Sequence, residues 1–169
     1  MIPQSIIDYL SDRAIPFRLV PHPRAVSAQQ LAHSIHVSGY RVAKAVIADC
    51  DGQWTLAVLP ATEMLDLGEL ARATGSATAR LVSEDEFGSR FAGCELGAEP
   101  PFGKLYGMPV VADRSLVEDE TLLLRAGSHE EALEMTFEDF TRLEGPLIAS
   151  IGFVPLASAR AGAKAELHP

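Results

Sequence analysis

Lys44 stands in the run Val42-Ala43-Lys44-Ala45-Val46-Ile47, where every neighbour is apolar. The run reads as a strand, and its period of two puts Lys44 on one face with Val42 and Val46. An ammonium in such company is costly unless it points into a wet pocket or meets an anion. Two readings follow: an edge-strand lysine that discourages pairing with other chains, or a cationic contact for a carbonyl or a phosphate. Lysine is scarce here, with only Lys44, Lys104 and Lys164 in the chain. A second segment, Gly97-Ala98-Glu99-Pro100-Pro101-Phe102-Gly103, sets glycines around consecutive prolines. It reads either as a rigid crossover or as a loop that lets a ligand approach the backbone. The third is Ala126-Gly127-Ser128-His129, which follows an apolar strand. It displays backbone groups or an imidazole at a pocket mouth, or else is an ordinary surface turn. His22, between Pro21 and Pro23, is equally open.

Other chemistries lack their signatures. The sequence has no G-x-x-x-x-G-K-[ST] loop, no G-x-G-x-x-G fingerprint, no G-x-S-x-G elbow and no H-E-x-x-H. His33 and His36 lie three apart, but nothing nearby completes a metal-ligand pattern, so no metal site is expected. Cys50 and Cys94 have neither C-x-x-C spacing nor the numbers for a disulfide framework, which fits a reducing cytoplasm.

The elements that must position these residues are readable in part. Ile6, Ile7, Leu10 and Ala14 predict a helix over 3–14, and Phe17 to Val20 a short strand ending at Pro21-His22-Pro23. Ser27 with Gln30 is a capping-box pattern opening a helix to about Ile35. Val42 to Cys50 and Gln53 to Pro60, joined by Asp51-Gly52, predict a hairpin. A helix ending at Gly75, a strand over 77–82, a second capping box at Ser83–Glu86 and a long loop over 93–107 follow. Strands at 110–112, 121–125 and 132–135 precede a helix capped by Thr136 and running to about Leu143. The apolar stretch Pro146 to Leu156 reads as a core strand or an interface. With no regular βαβ period, the fold class expected is α+β, a mixed and strongly curved sheet with flanking helices.

Composition bounds the partners. The 169 residues are 47% hydrophobic and 22% charged, enough for one buried core and incompatible with global disorder. One domain is expected over 1–157, with a flexible tail at 158–169. No apolar run is long enough to span a bilayer, and the first residues lack the pattern of a secretory signal, so no membrane is expected. A net charge of −9 opposes binding of duplex DNA. The bases Arg13, Arg18, Arg24, Arg41 and Lys44 nevertheless outnumber Asp8 and Asp12 in the first 48 residues, so a small anionic group is favoured locally.

The ordered set of segments resembles the YbaK / prolyl-tRNA synthetase-associated editing domain family. His22-Pro23, the capped helix, the Val-Ala-Lys strand, the Asp-Gly hairpin and the helix ending in Gly75 occur in order. Ser-Glu-Asp-Glu, Gly-Ala-Glu-Pro-Pro-Phe-Gly, Pro-Val-Val-Ala-Asp, Ala-Gly-Ser-His and Glu-Asp-Phe-Thr-Arg-Leu complete the series. The resemblance implies hydrolysis in trans of wrongly charged aminoacyl-tRNA by a positioned water, without metal or other cofactor. It implies that Lys44 contacts the terminal adenosine or the aminoacyl ester. The loop of Gly127, Ser128 and His129 then shapes the amino-acid pocket and places the water, with Pro101, Phe102 and Gly103 as another wall. Lys44, Gly127 and His129 are thus expected as catalytic residues. His22, Arg41, Ala45, Pro101, Phe102, Gly103 and Ser128 are expected to bind substrate, with Arg24 and Arg41 adding to a basic patch near Lys44. Ala45 departs from many relatives, which carry Thr, Ser or Asn there. The partners implied are the acceptor end of a mischarged tRNA and an aminoacyl-tRNA synthetase. The alternative is a non-catalytic module that binds an aminoacyl-nucleotide-like ligand or a synthetase.

Overall fold

The computed structural model describes residues 1–118 and 120–156, so the expected tail at 158–169 lies outside the described residues. In chain order the elements are α1 (Gln4–Ser11), β1 (Arg18–Pro21), α2 (Ala28–Ser34), β2 (Val42–Cys50), β3 (Gln53–Pro60), β4 (Met64–Leu65) and α3 (Leu67–Thr74). Then come β5 (Ala79–Leu81), α4 (Glu84–Phe87), β6 (Val110–Asp113), β7 (Thr121–Arg125), β8 (Glu131–Thr136), α5 (Phe137–Glu144), β9 (Leu147–Ala149) and β10 (Gly152–Phe153). The main sheet runs β1-β8-β7-β2-β3-β6-β9, with β5 also on β2, and β4 pairs separately with β10. Both parallel and antiparallel pairs occur, so the α+β class with a mixed sheet is borne out. The stretch Pro146 to Leu156 resolves into β9, parallel to β6 at the sheet edge, and β10 against β4.

Local chemistry explains the element ends. Ser27, Asp66, Ser83 and Thr136 each accept a hydrogen bond from the amide three residues on, satisfying a donor that the first helical turn leaves free. Only Ser83–Glu86 closes the reciprocal box. The Gln30 side chain reaches past Ser27 and accepts from the Val26 amide instead. Helices α1 and α5 bury Ile6, Leu10, Phe140 and Leu143 on one face of the sheet against Ile47, Leu56, Leu122 and Leu124. The opposite face carries two smaller clusters. Leu31 of α2 packs on Val42 and Leu123, while Leu70 of α3 packs on Ala48, Leu59 and Val111. Lys44 lies on this second face, between Val42 in the first cluster and Val46 at the second. The alternation read from the sequence therefore holds, and the ammonium falls at the break between two apolar clusters.

Candidate active site

Strand β2 is longer than either neighbour on one side. Parallel β7 is registered with Val42 and Ala43, and antiparallel β5 with Ala48 to Cys50. Between them Lys44 to Ile47 have no registered partner on that side, while all four pair with β3 on the other. A cleft of about 330 Å³ opens at this split, lined by Lys44, Ala45 and Ile47 at its floor. Leu81, Val82, Glu84 and Phe87 form one wall, and Val26, Ser27, Gly97, Glu99 and Arg125 form the other. That volume lies at the low end of ligand pockets.

Lys44 is half-buried there, and burial holds its ammonium below the ordinary lysine value of 10.5, against the opposing charge of Glu63. Among the described residues it has no ion pair within 4.0 Å. Glu63 itself is buried, and among the described residues its Oε2 has no hydrogen-bond partner. Burial, then the charge of Asp113, raises its carboxyl above 4.5. Asp113 is fixed instead: Oδ1 accepts from the Ile151 and Gly152 amides at 2.8 and 2.9 Å, and Oδ2 from the Ser115 amide and hydroxyl.

The register of β2 on β7 ends at Ala43 with Leu124, and the next residue of each strand is a cation, Lys44 on one and Arg125, which is 6% exposed, on the other. Arg125 was not singled out by sequence reasoning; the signal was a charged residue closing the apolar strand Thr121-Leu122-Leu123-Leu124. Its Nη2 donates to the Ala25 carbonyl at 2.8 Å and to His129 Nδ1. A guanidinium only donates, so Nη2 donates to His129 Nδ1; that nitrogen also lies 3.1 Å from the Ala25 carbonyl, while Nε2 meets the Leu96 carbonyl at 2.9 Å. The His129 amide donates to Glu95 Oε2 at 2.6 Å, and Glu95 Oε1 pairs with Arg24 at 3.1 Å.

The expected site residues are therefore only partly brought together. Lys44 and Ala45 line the cleft. His129 is 5% exposed with both ring nitrogens engaged, so it stands behind Arg125 and offers the cleft no free nitrogen. Gly127 and Ser128 form the layer behind that: the Gly127 amide donates to Ala98 at 2.7 Å, and Ser128 Oγ accepts from the Glu130 amide. Pro101, Phe102 and Gly103, expected as another wall, lie outside the cleft lining. All three are buried, Phe102 is fully enclosed and packs on Tyr9 with ring centroids 5.9 Å apart, and Gly103 abuts Met108 and Val110. Glycine and proline drive this segment inward, and the cleft receives Gly97 and Glu99 from it instead. His22 and Arg41 lie outside the cleft lining. The His22 ring meets the Pro23 carbonyl at 2.8 Å, and Arg41 donates to Thr121 Oγ1 at 2.6 Å with Glu134 at 3.8 Å. With Arg24 on Glu95, the basic patch is largely neutralised by carboxylates, and among the described residues Lys44 and Arg125 are the cations left at the cleft. Among the described residues no three His, Cys, Asp or Glu side chains converge as a metal-ligand group.

The model of the aminoacyl-tRNA editing domain matches residues 22–143, which include every element around this cleft. The chain belongs to the aminoacyl-tRNA editing domain family. Among its relatives is the Multifunctional Ser/Thr-tRNA deacylase ProXp-y of Escherichia coli (strain K12), 29% identical over 148 residues that cover 85% of this chain and 88% of that protein. Another is the uncharacterized protein YwhH of Bacillus subtilis (strain 168), 29% identical over 112 residues covering 66% of this chain and 71% of that one. The editing domain also shares its fold with the crystal structure of a candidate trans-editing enzyme for prolyl tRNA synthetase. That match has a TM-score of 0.78 at 19% identity and covers 90% of this chain and 99% of the other. Editing of aminoacyl-tRNA is hydrolysis of the ester joining amino acid to ribose, so this editing domain is a hydrolase of aminoacyl-tRNA esters. Among the described residues, no helix is long and apolar enough to cross a membrane.

Proposed function

We propose that this editing domain acts in trans in the cytoplasm, removing a small amino acid (Ala, Cys, Ser or Thr) from a mischarged tRNA whose acceptor end enters the cleft at Lys44. The observation that carries the reading is the half-buried Lys44 ammonium, without an ion pair among the described residues, at the split between β7 and β5. The relative acting on Ser- and Thr-tRNA supports the hydroxylated members of that set. An aminoacyl ester is already activated, so positioning and charge stabilisation suffice. Water adds to the ester carbonyl carbon, and the oxyanion that forms faces the Lys44 ammonium. The carbon–oxygen bond to the ribose then breaks. A proton from the water ends on the ribose oxygen, and the amino acid leaves as its acid, which ionises.

The remaining site residues take supporting roles in this reading. Ala45 leaves room at the floor, Gly127 and Ser128 hold the strand-to-loop turn, and His129 orients Arg125. His22, Arg41, Pro101, Phe102 and Gly103 shape the surroundings without touching the reacting atoms. A synthetase that releases the mischarged tRNA is the partner proposed. The test is deacylation of Ala-, Cys-, Ser- and Thr-charged tRNA by the folded wild-type chain. Turnover of one or more esters is expected; hydrolysis of none would overturn the assignment of substrates.

A further inference from the structure

Arg125 is a buried guanidinium with work left undone. Nη2 spends its donors on Ala25 and His129. Nε and Nη1 make no hydrogen bond among the described residues, and neither is among the sealed-off polar atoms, which are Thr62 Oγ1 and Glu63 Oε2. Arg125 lines the cleft and is 6% exposed, and neither donor is spent on another described residue. Opposite in charge and on the same wall is Glu99, 8% exposed, whose Oε1 accepts from the Gly97 amide at 2.8 Å. Its Oε2 has no donor among the described residues and is likewise not sealed off. The two make no ion pair within 4.0 Å, so each retains a free edge.

We infer that Arg125 and Glu99 form the receptor for the amino-acid part of the substrate, Glu99 taking the α-ammonium and Arg125 a side-chain hydroxyl, which makes Arg125 the residue that selects seryl and threonyl esters over alanyl ones. This rests on the deacylase reading above and gives its substrate class. A buried donor left without an acceptor is penalised, so an alanyl group, which brings no oxygen to Arg125, leaves the guanidinium edge unpaired. A seryl or threonyl hydroxyl supplies the acceptor. Discrimination through a polar group in the site is larger than discrimination by the size of one methyl group alone. His129, with Nδ1 on Arg125 and Nε2 on Leu96, keeps the guanidinium aimed and is a positioning residue in this scheme.

The experiment measures kcat/KM of wild type, Arg125→Met and Arg125→Lys on Ser- and Ala-charged tRNA. It is paired with binding of amide-linked seryl and alanyl 3′-aminoadenosine to the wild-type chain. The expected wild-type preference for seryl over alanyl is at least about tenfold, the size of one charge-assisted hydrogen bond. Arg125→Met reduces that ratio by about tenfold or more, and Arg125→Lys restores part of it. A purely structural Arg125 would lower both rates together and leave the ratio unchanged, which would overturn the inference. If Arg125→Met does not fold, the binding pair decides: seryl analogue tighter than alanyl supports the inference, and equal affinities overturn it. Wild type that hydrolyses neither ester would instead refute the deacylase reading, while the binding pair still judges the receptor.

Discussion

Gly127 and Gly52 both adopt left-handed backbone conformations, with φ of +82° and +88°, but in different surroundings. A Cβ on Gly127 would lie 2.8 Å from Pro3 Cδ and 2.9 Å from Cys94 Sγ, whereas one on Gly52 meets nothing within 4 Å. The Gly127 backbone cannot slide away, because its amide donates to Ala98 at 2.7 Å and its carbonyl accepts from Glu95 at 3.0 Å. Gly52→Ala therefore costs only the left-handed strain, about 1–2 kcal/mol. Gly127→Ala adds overpacking of about 1–3 kcal/mol, for a total of roughly 2–5 kcal/mol. At about 2–4 °C per kcal/mol for a chain of this size, Tm should fall by about 4 °C in Gly52→Ala and about 10 °C in Gly127→Ala. Thermal unfolding followed by circular dichroism, with denaturant midpoints at constant slope, checks both. Equal losses would refute the reasoning, since they would mean that Pro3 and Cys94 yield freely to the added methyl.

Three further outcomes follow from the same structure. Glu63 has its carboxyl raised above 4.5 by burial and by the charge of Asp113, so its contribution to stability is present below about that pH and lost as pH rises through the raised value. Glu63→Gln should thus gain more Tm relative to wild type at pH 8 than at pH 5, and parallel Tm–pH curves would contradict this. Asp113 has the opposite sign: burial alone would raise it, but Ser115 and the Ile151 and Gly152 amides hold it below 3.8, so Asp113→Asn should flatten the loss of stability on the acid side. Phe102→Leu should lower stability by about 1–2 kcal/mol while changing deacylation kcat/KM less than about threefold. A tenfold kinetic loss with unchanged stability would return Phe102 to the cleft wall.

Local elements were legible because their signals are local. Asp51-Gly52 marks the β2–β3 hairpin, Ser83 and Glu86 close their box, and Gly75 ends α3 in the left-handed region. Lys44 could be singled out because its cost depends on immediate apolar neighbours. Arg125 could not, because its significance depends on a parallel pairing between segments some eighty residues apart. The glycine and proline content of Gly97 to Gly103 fits a rigid crossover as well as a loop that a ligand approaches. That composition equally permits the tight, buried path that leaves Phe102 in the core and brings Glu99 to the cleft. The imidazole of His129 was legible as a residue type, but its ring contacts come from Ala25, Leu96 and Arg125, which only the folded chain brings to it.

The central claim is that the Lys44 ammonium stabilises the charge formed during ester hydrolysis. Single-turnover deacylation of Ser-charged tRNA by wild type and Lys44→Met tests it most directly, since Met keeps the length and apolar stem of the side chain and removes only the charge. Loss of one such stabilising group costs about 10²–10³ in rate. A drop of that size with an unchanged Tm is the expected result. A variant that folds and still hydrolyses the ester within about threefold of wild type would contradict the account.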